Sequence, residues 1–312
     1  MPRRAAGLSR GLARLARQAG LVAASSVVVF AVTRALPTTP MEAYLERLGL
    51  PATPENVDAL ARQWGLTGSL PQQYLSWIGR FCLGDWGASI GSGSPIRHEL
   101  LSRLPLSAAI GLGGVAIACL LAYGLGLKAA AGGRGWDLAA RAAVLAGEAV
   151  PSFLVCTLVI HLLGVRWGLV PFYRLPPAQA VIAPMLVVAL YSVGQLSRVV
   201  TSHAERLKQE PFVTALLQRG FSLPRVLWHD CRRPVLYGLV SAVIAKMAWV
   251  IGGTAVVEYV FAVPGISYYI ISSIHARDYT VVQSYLMLLV LWMFLVRLVL
   301  GAVLAGLDPR SR

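Results

Sequence analysis

Charge is scarce in this sequence. Only 13% of the 312 residues are Asp, Glu, Lys or Arg, against about a quarter in an ordinary soluble domain, and 14 acidic residues face 28 basic ones. A water-facing globular surface is thereby excluded for most of the chain. Cys82, Cys119, Cys156 and Cys231 contain no C-x-x-C pair, which removes a zinc ribbon and a dithiol redox motif. The five histidines include no i, i+4 pair, so His161 and His275 are read as packing or hydrogen-bonding residues, and no resident metal or cofactor is expected. No G-x-x-x-x-G-K-[ST] loop occurs, so the chain alone is expected neither to bind nor to hydrolyse ATP. The arginines flank apolar runs and do not interleave with aromatics on one basic face, which argues against nucleic acid. No internal repeat marks an inverted-repeat secondary transporter.

What the sequence has instead is apolar length. Hydrophobic residues make up 56% of it, and the mean hydropathy is +0.64. A hydrocarbon core of roughly 30 Å takes about 20 apolar residues of helix, and six segments approach that length: Ala19–Ala35, Leu106–Ala129, Ala139–Leu163, Ala180–Leu196, Val235–Val256 and Ser284–Leu304. None alternates with period 2, so helices and not a barrel are expected. The first follows basic residues, as a signal peptide does, but it lacks a small-x-small site and is followed by Arg34 and Pro37, so it is read as a retained span.

Basic residues then set the orientation. Arg3, Arg4, Arg10, Arg14 and Arg17 precede the first span, Lys128, Arg134 and Arg141 lie between the second and third, and Arg198, Arg206, Lys208, Arg219, Arg225, Arg232 and Arg233 crowd the loop after the fourth. The positive-inside rule places these loops and both termini in the cytoplasm. The expected organisation is an N-terminal tail and first span over residues 1–36, an extracytoplasmic loop subdomain over 37–104, and a five-helix core over 105–312 with a cytoplasmic loop at about 205–238. Within the external part, Thr53-Pro54-Glu55 can open a helix, and Gly84-Asp85-Trp86-Gly87 and Gly91-Ser92-Gly93-Ser94-Pro95 read as turns.

The cytoplasmic loop carries the strongest signal. Glu210-Pro211 can start a helix, Phe212, Ala215, Leu216 and Arg219 keep its period, Gly220 can end it, and Ser222-Leu223-Pro224 can open another. The result is a stiff helix, glycine break, helix unit, longer than an idle connection between spans.

At this point the chain resembles the permeases of binding-protein-dependent ABC importers, in their dipeptide, oligopeptide and nickel branch. The stretch from Phe212 to Phe221 is similar to the family's cytoplasmic EAA loop. Glu258-x-x-Phe261-x-x-Pro264-Gly265 with Arg277-Asp278-Tyr279, Asp308-Pro309-Arg310, Gln73-Tyr74-x-x-Trp77, Arg103-Leu104-Pro105 and Pro151-x-Phe153 follow in the branch's order. The resemblance implies a type I permease with six transmembrane helices and a coupling helix, an inner-membrane location, a second homologous permease, two ATP-binding subunits, an extracytoplasmic substrate-binding protein and a lipid surround. It implies import of peptides, nickel or a metal chelate, and docking on the ATPase through Arg219, Gly220, Phe221, Ser222, Leu223, Pro224, Arg225 and Val226.

An ionisable group at membrane depth costs about 2.5–3.5 kcal/mol on insertion scales, so Lys246, midway along the fifth segment, either lines a path or pairs with Glu148. Gly252-Gly253 can bend that segment or let helices approach closely. Glu258, Pro264, Gly265, Arg277 and Asp278 are expected in an outer loop, contacting a binding protein or bracing the turn. The rival readings are an ion-gradient transporter and a membrane-embedded enzyme; the sparse Glu148, His161 and Lys246 form no recognisable catalytic set.

Overall fold

The computed structural model describes residues 2–35, 40–63 and 67–307; the Asp308-Pro309-Arg310 match lies outside them. Helices follow in the order α1 (Pro2–Arg34), α2 (Pro40–Arg47), α3 (Pro54–Gln63), α4 (Leu70–Cys82), α5 (Ile96–Ala130), α6 (Arg134–Ala149), α7 (Ser152–Val159, continuing as a π-helical turn over Ile160–Arg166), α8 (Pro177–Ala180), α9 (Ile182–Leu207), α10 (Pro211–Gln218), α11 (Leu223–His229), α12 (Arg232–Gly252), α13 (Ala255–Val260), α14 (Ile266–His275) and α15 (Tyr279–Leu307). Among the described residues no strand forms, and one isolated bridge joins Ala88 to Pro95.

Four stretches are long and apolar enough to cross a membrane: Ala16–Arg34, Ile96–Ala130, Pro177–Leu207 and Tyr279–Leu304. Two bent pairs, Arg134–Ala149 with Ser152–Arg166 and Arg232–Met247 with Val250–Val260, raise the number to six if each pair is one span. The chain is thus an all-α, polytopic membrane protein. The third segment departs from the simple span expected of it, because its two halves meet at 99°. Pro151 is the cause: it has no N–H to continue the ladder, and Val150 before it takes an extended conformation (φ −99°, ψ 123°).

A broken helix frees carbonyls that lipid cannot satisfy. Here the Tyr191 hydroxyl on α9 donates to the Val150 carbonyl at 2.6 Å. Alongside, α6 lies close enough to α9 that a Cβ on Gly194 would stand 2.6 Å from Val144 Cα, so only glycine fits. Tyr191→Phe is expected to cost about 1 kcal/mol, read as a melting temperature a few degrees lower in detergent; an unchanged melt would mean the carbonyl is satisfied otherwise.

Two compact units emerge. One comprises Met1–Arg103 and Tyr269–Phe294, the other Leu104–Tyr268 and Leu295–Arg312, so residues 269–294 group with the N-terminal third of the chain. In the first, rings run in series: Phe30 meets Tyr74 edge-on at 5.6 Å, Trp77 lies 6.0 Å from Phe81, and Phe81 stacks on Trp86 at 4.9 Å. Val29, Phe81 and Met287 are its buried centre. Local signals hold here: Thr53 Oγ1 accepts the Asn56 N–H at 3.4 Å, while Gly84 (φ +88°) and Gly87 (φ +82°) form the turn at 84–87. In the second unit the core runs through Ala118, Ala122 and Leu127 of α5, Leu196, Val200 and Ala204 of α9, and Val235 and Leu239 of α12.

Candidate functional site

The α10–α11 hairpin grows from that core. Glu210 is extended (φ −74°, ψ 138°) and Pro211 occupies the first turn of α10, where its missing N–H costs nothing. At the other end Gly220 takes φ +85°. Its N–H donates to the Leu217 carbonyl at 2.9 Å and the next N–H, of Phe221, reaches back to Leu216 at 3.2 Å. This is the Schellman closure, in which a left-handed residue lets two N–H groups satisfy the last helical carbonyls. Ser222 then returns to extended geometry (φ −72°, ψ 144°), and Pro224 in the first turn starts α11. The break is therefore a fixed corner.

Its inner face is fully buried. Val213 of α10, Val226 and Leu227 of α11, and Cys231 have no exposure and pack with α5, α9 and α12. The hairpin is thereby fastened to three membrane helices at once. Burial pushes the Cys231 thiol up to about 11, with Asp230 beside it adding to the effect. Cys82, by contrast, is exposed. A maleimide at neutral pH should label Cys82 and leave Cys231 unmodified in the folded protein, resolved by peptide mass spectrometry; equal labelling would contradict this packing.

The outer face is aromatic and basic. Phe212 (43%), Phe221 (37%) and Trp228 (38%) are exposed, as are Arg219, Ser222, Pro224 and Arg225. The Arg225 guanidinium sits 4.9 Å over the Phe221 ring, and Trp228 meets Tyr123 of α5 edge-on at 5.4 Å. Of the eight residues expected to dock, six are at the surface, Leu223 is half-buried, and Val226 belongs to the core. Phe212 and Trp228 were not singled out for docking, although their places just outside the buried Val213 and Leu227 could have marked them.

Glu258 forms a second polar centre. It has no exposure, and its carboxyl accepts from Thr254 Oγ1 at 2.8 Å, Ser267 N at 2.9 Å and Tyr268 N at 3.1 Å. The last two are orphan N–H groups of the first turn of α14, where an acidic group is favoured. Ser107 of α5 accepts the third, from Ile266, at 2.8 Å. Gly265 passes so close to Glu258 Oε2 and Ser107 Oγ that any Cβ there would collide with both. The Pro264-Gly265 turn is thus clasped from beneath.

In the other unit Asp278, 2% exposed, accepts from Ser89 Oγ at 2.6 Å, Gly91 N at 3.1 Å and, as N-cap of α15, Val281 N at 3.3 Å. Arg277 has φ +55° and lies 3.7 Å from Glu46, both exposed. Buried as they are, Glu258 and Asp278 present no free surface to a partner. Asp278→Ala is expected to lower the melting temperature by several degrees, because it strips a helix cap and two further hydrogen bonds at about 1 kcal/mol each; no shift would refute the brace.

Among the path candidates, Glu148 meets Arg198 at 3.6 Å, both well exposed, and Lys246 is half-buried on α12. Gly252 ends α12, and Gly253 lies in the turn before α13.

Residues 101–312, which hold both the hairpin and the Glu258 clasp, match the family described as binding-protein-dependent transport system inner membrane component. The chain belongs to that family. Among its relatives, a Brucella abortus protein named as a peptide transport system permease is 26% identical over 310 residues, covering 96% of this chain and 98% of the relative. A Brucella suis protein of the same description is 26% identical over 308 residues, covering 96% and 97%. The nickel import system permease protein NikB of Staphylococcus aureus is 25% identical over 288 residues, covering 92% and 87%. This binding-protein-dependent permease is accordingly a multi-pass inner-membrane transport subunit of an ABC importer.

Proposed function

We propose that this permease takes small peptides or nickel complexes inward, driven by two separate ATPase subunits that grip the α10–α11 hairpin, with an extracytoplasmic binding protein delivering the substrate to it and to a second, homologous permease. One observation carries the mechanical part: a corner locked by Gly220, fastened below to α5, α9 and α12, and bearing an exposed aromatic and basic tip. A tip of that kind seats an aromatic anchor in a partner pocket while Arg219 and Arg225 orient it. Both termini and the hairpin face the cytoplasm, where the basic loops collect. The substrate class rests on relatives of both kinds, aligned at 26% and 25% identity.

The test is co-purification with uptake. Tagged permease, gently solubilised, should bring down an ATPase, and uptake should stop in ATP-depleted cells that keep their ion gradient. Uptake surviving ATP depletion without an ATPase partner would overturn the reading. Phe221→Ala should weaken ATPase capture by about 2 kcal/mol, the scale of an aromatic anchor at an interface centre, without altering membrane levels; unchanged capture would place the contact elsewhere.

A further inference from the structure

In the unit of Met1–Arg103 and Tyr269–Phe294, a cavity of about 570 Å³ lies between the C-terminal end of α1, α4, the turns at 84–93 and the start of α15. Its volume falls within the roughly 300–1,000 Å³ of small-ligand sites. Trp77, Trp86 and Tyr279 give it aromatic walls, and Arg34, Arg80 and Gln283 give it donors. Gln283 is only 7% exposed, yet its Nε2 finds no partner within the described protein, and the buried Nε of half-buried Arg34 finds none either. Buried polar atoms are nearly always paired, and leaving one unpaired costs free energy. Both residues stand on the cavity wall with a donor unspent, so a group that accepts and does not donate is complementary to them once those side chains turn onto it. The wall carries two cationic side chains, Arg34 and Arg80, against one acidic side chain, Asp85, whose Oδ1 accepts the Gly87 N–H at 3.0 Å, so positive charge is in excess.

We propose that this cavity binds an anionic oxygen group, a carboxylate or a phosphate, carried on an apolar or aromatic body, with Arg34 and Gln283 donating to the oxygens and Trp77 and Trp86 holding the body. Arginine suits such a group through its planar fork of donors. The carrier is either a free small molecule or a membrane phospholipid, and both present the same chemistry. The site belongs to this chain alone, so testing it needs neither ATPase nor binding protein, and failure leaves the transport reading untouched.

The full-length protein in detergent micelles is titrated calorimetrically with N-acetylphenylalanine and with its amide, which lacks only the charge, and native mass spectrometry records any retained phospholipid. The expected result is binding of the acid about tenfold or more tighter than the amide, or a phospholipid retained through ionisation. The first outcome assigns a free carboxylate and the second a headgroup phosphate. In either case Gln283→Leu and Arg34→Met should each weaken the interaction about ten- to hundredfold, the range for a hydrogen bond to a charged group. Gln283→Leu should at the same time leave the melting temperature of the unliganded protein unchanged or higher, because it removes an unsatisfied buried amide. Equal binding of acid and amide with no retained lipid would overturn the proposal, as would acid binding or lipid retention that survives both substitutions.

Discussion

Gly220→Pro is expected to abolish uptake while the protein still reaches the membrane at its normal level. Proline holds φ near −65°, whereas this position sits at +85°, and proline removes the N–H that donates to Leu217 at 2.9 Å. It also disfavours the αR-like geometry of the residue before it, and Arg219 sits at φ −78°, ψ 3°. The corner cannot form, at a cost of about 3 kcal/mol or more. Insertion survives because the spans are specified by apolar length elsewhere in the chain. Gly220→Ala separates the causes. Nothing lies within 4 Å of a Cβ there, so alanine meets only the left-handed penalty of about 1–2 kcal/mol and should keep partial uptake. Whole-cell uptake set against immunoblotted membrane level distinguishes the pair, and normal uptake by the proline variant would refute the fixed corner.

Glu258→Ala should act on the fold itself. The substitution leaves the N–H groups of Ser267 and Tyr268 without their acceptor in a buried site, while the Thr254 hydroxyl falls back on the Val250 carbonyl at 3.2 Å. At about 1–3 kcal/mol for each stranded N–H, the pair removes a large share of the stability of a typical domain, about 5–15 kcal/mol. Membrane levels should fall and the melting temperature should drop sharply. Glu258→Gln keeps an acceptor for part of the network and should lie between. Gly265→Ala should resemble Glu258→Ala, since its Cβ drives into the same carboxyl group and into Ser107. If Glu258→Ala melts like wild type but fails only in uptake, the carboxyl has a direct transport role in place of the clasp argued for it.

The hairpin was legible because its signals are local: Glu210-Pro211, Gly220 and Ser222-Leu223-Pro224 each act within one turn of backbone. The inner location of Val226 was not, because α11 spans only Leu223–His229, and so short a helix leaves its buried face to tertiary packing. The third span shows the same limit at larger scale. Apolar length fixes that a segment enters lipid, but Ala139–Leu163 has one composition whether straight or broken, and only the Tyr191 contact from α9 shows how the break at Pro151 is tolerated. Glu148 meets Arg198 of α9, a pairing set by how α6 lies on α9, which no spacing rule reports. The clasp residues Glu258 and Gly265 were visible as a motif, yet the reason for them is a shared atom-to-atom approach with Ser107, some 150 residues earlier in the chain. Arg34 and Gln283 meet at one cavity from opposite ends of the sequence, and no local pattern joins them.

The measurement that bears most directly on the whole account uses a single reactive thiol at the exposed corner, Ser222→Cys in a chain whose exposed Cys82 is replaced by serine. In intact cells a membrane-impermeant maleimide should leave it unlabelled, a permeant one should label it, and a thiol crosslinker should join it to the ATPase subunit. Labelling of residue 222 from outside the cell would turn the hairpin to the wrong side of the membrane and end the coupling mechanism.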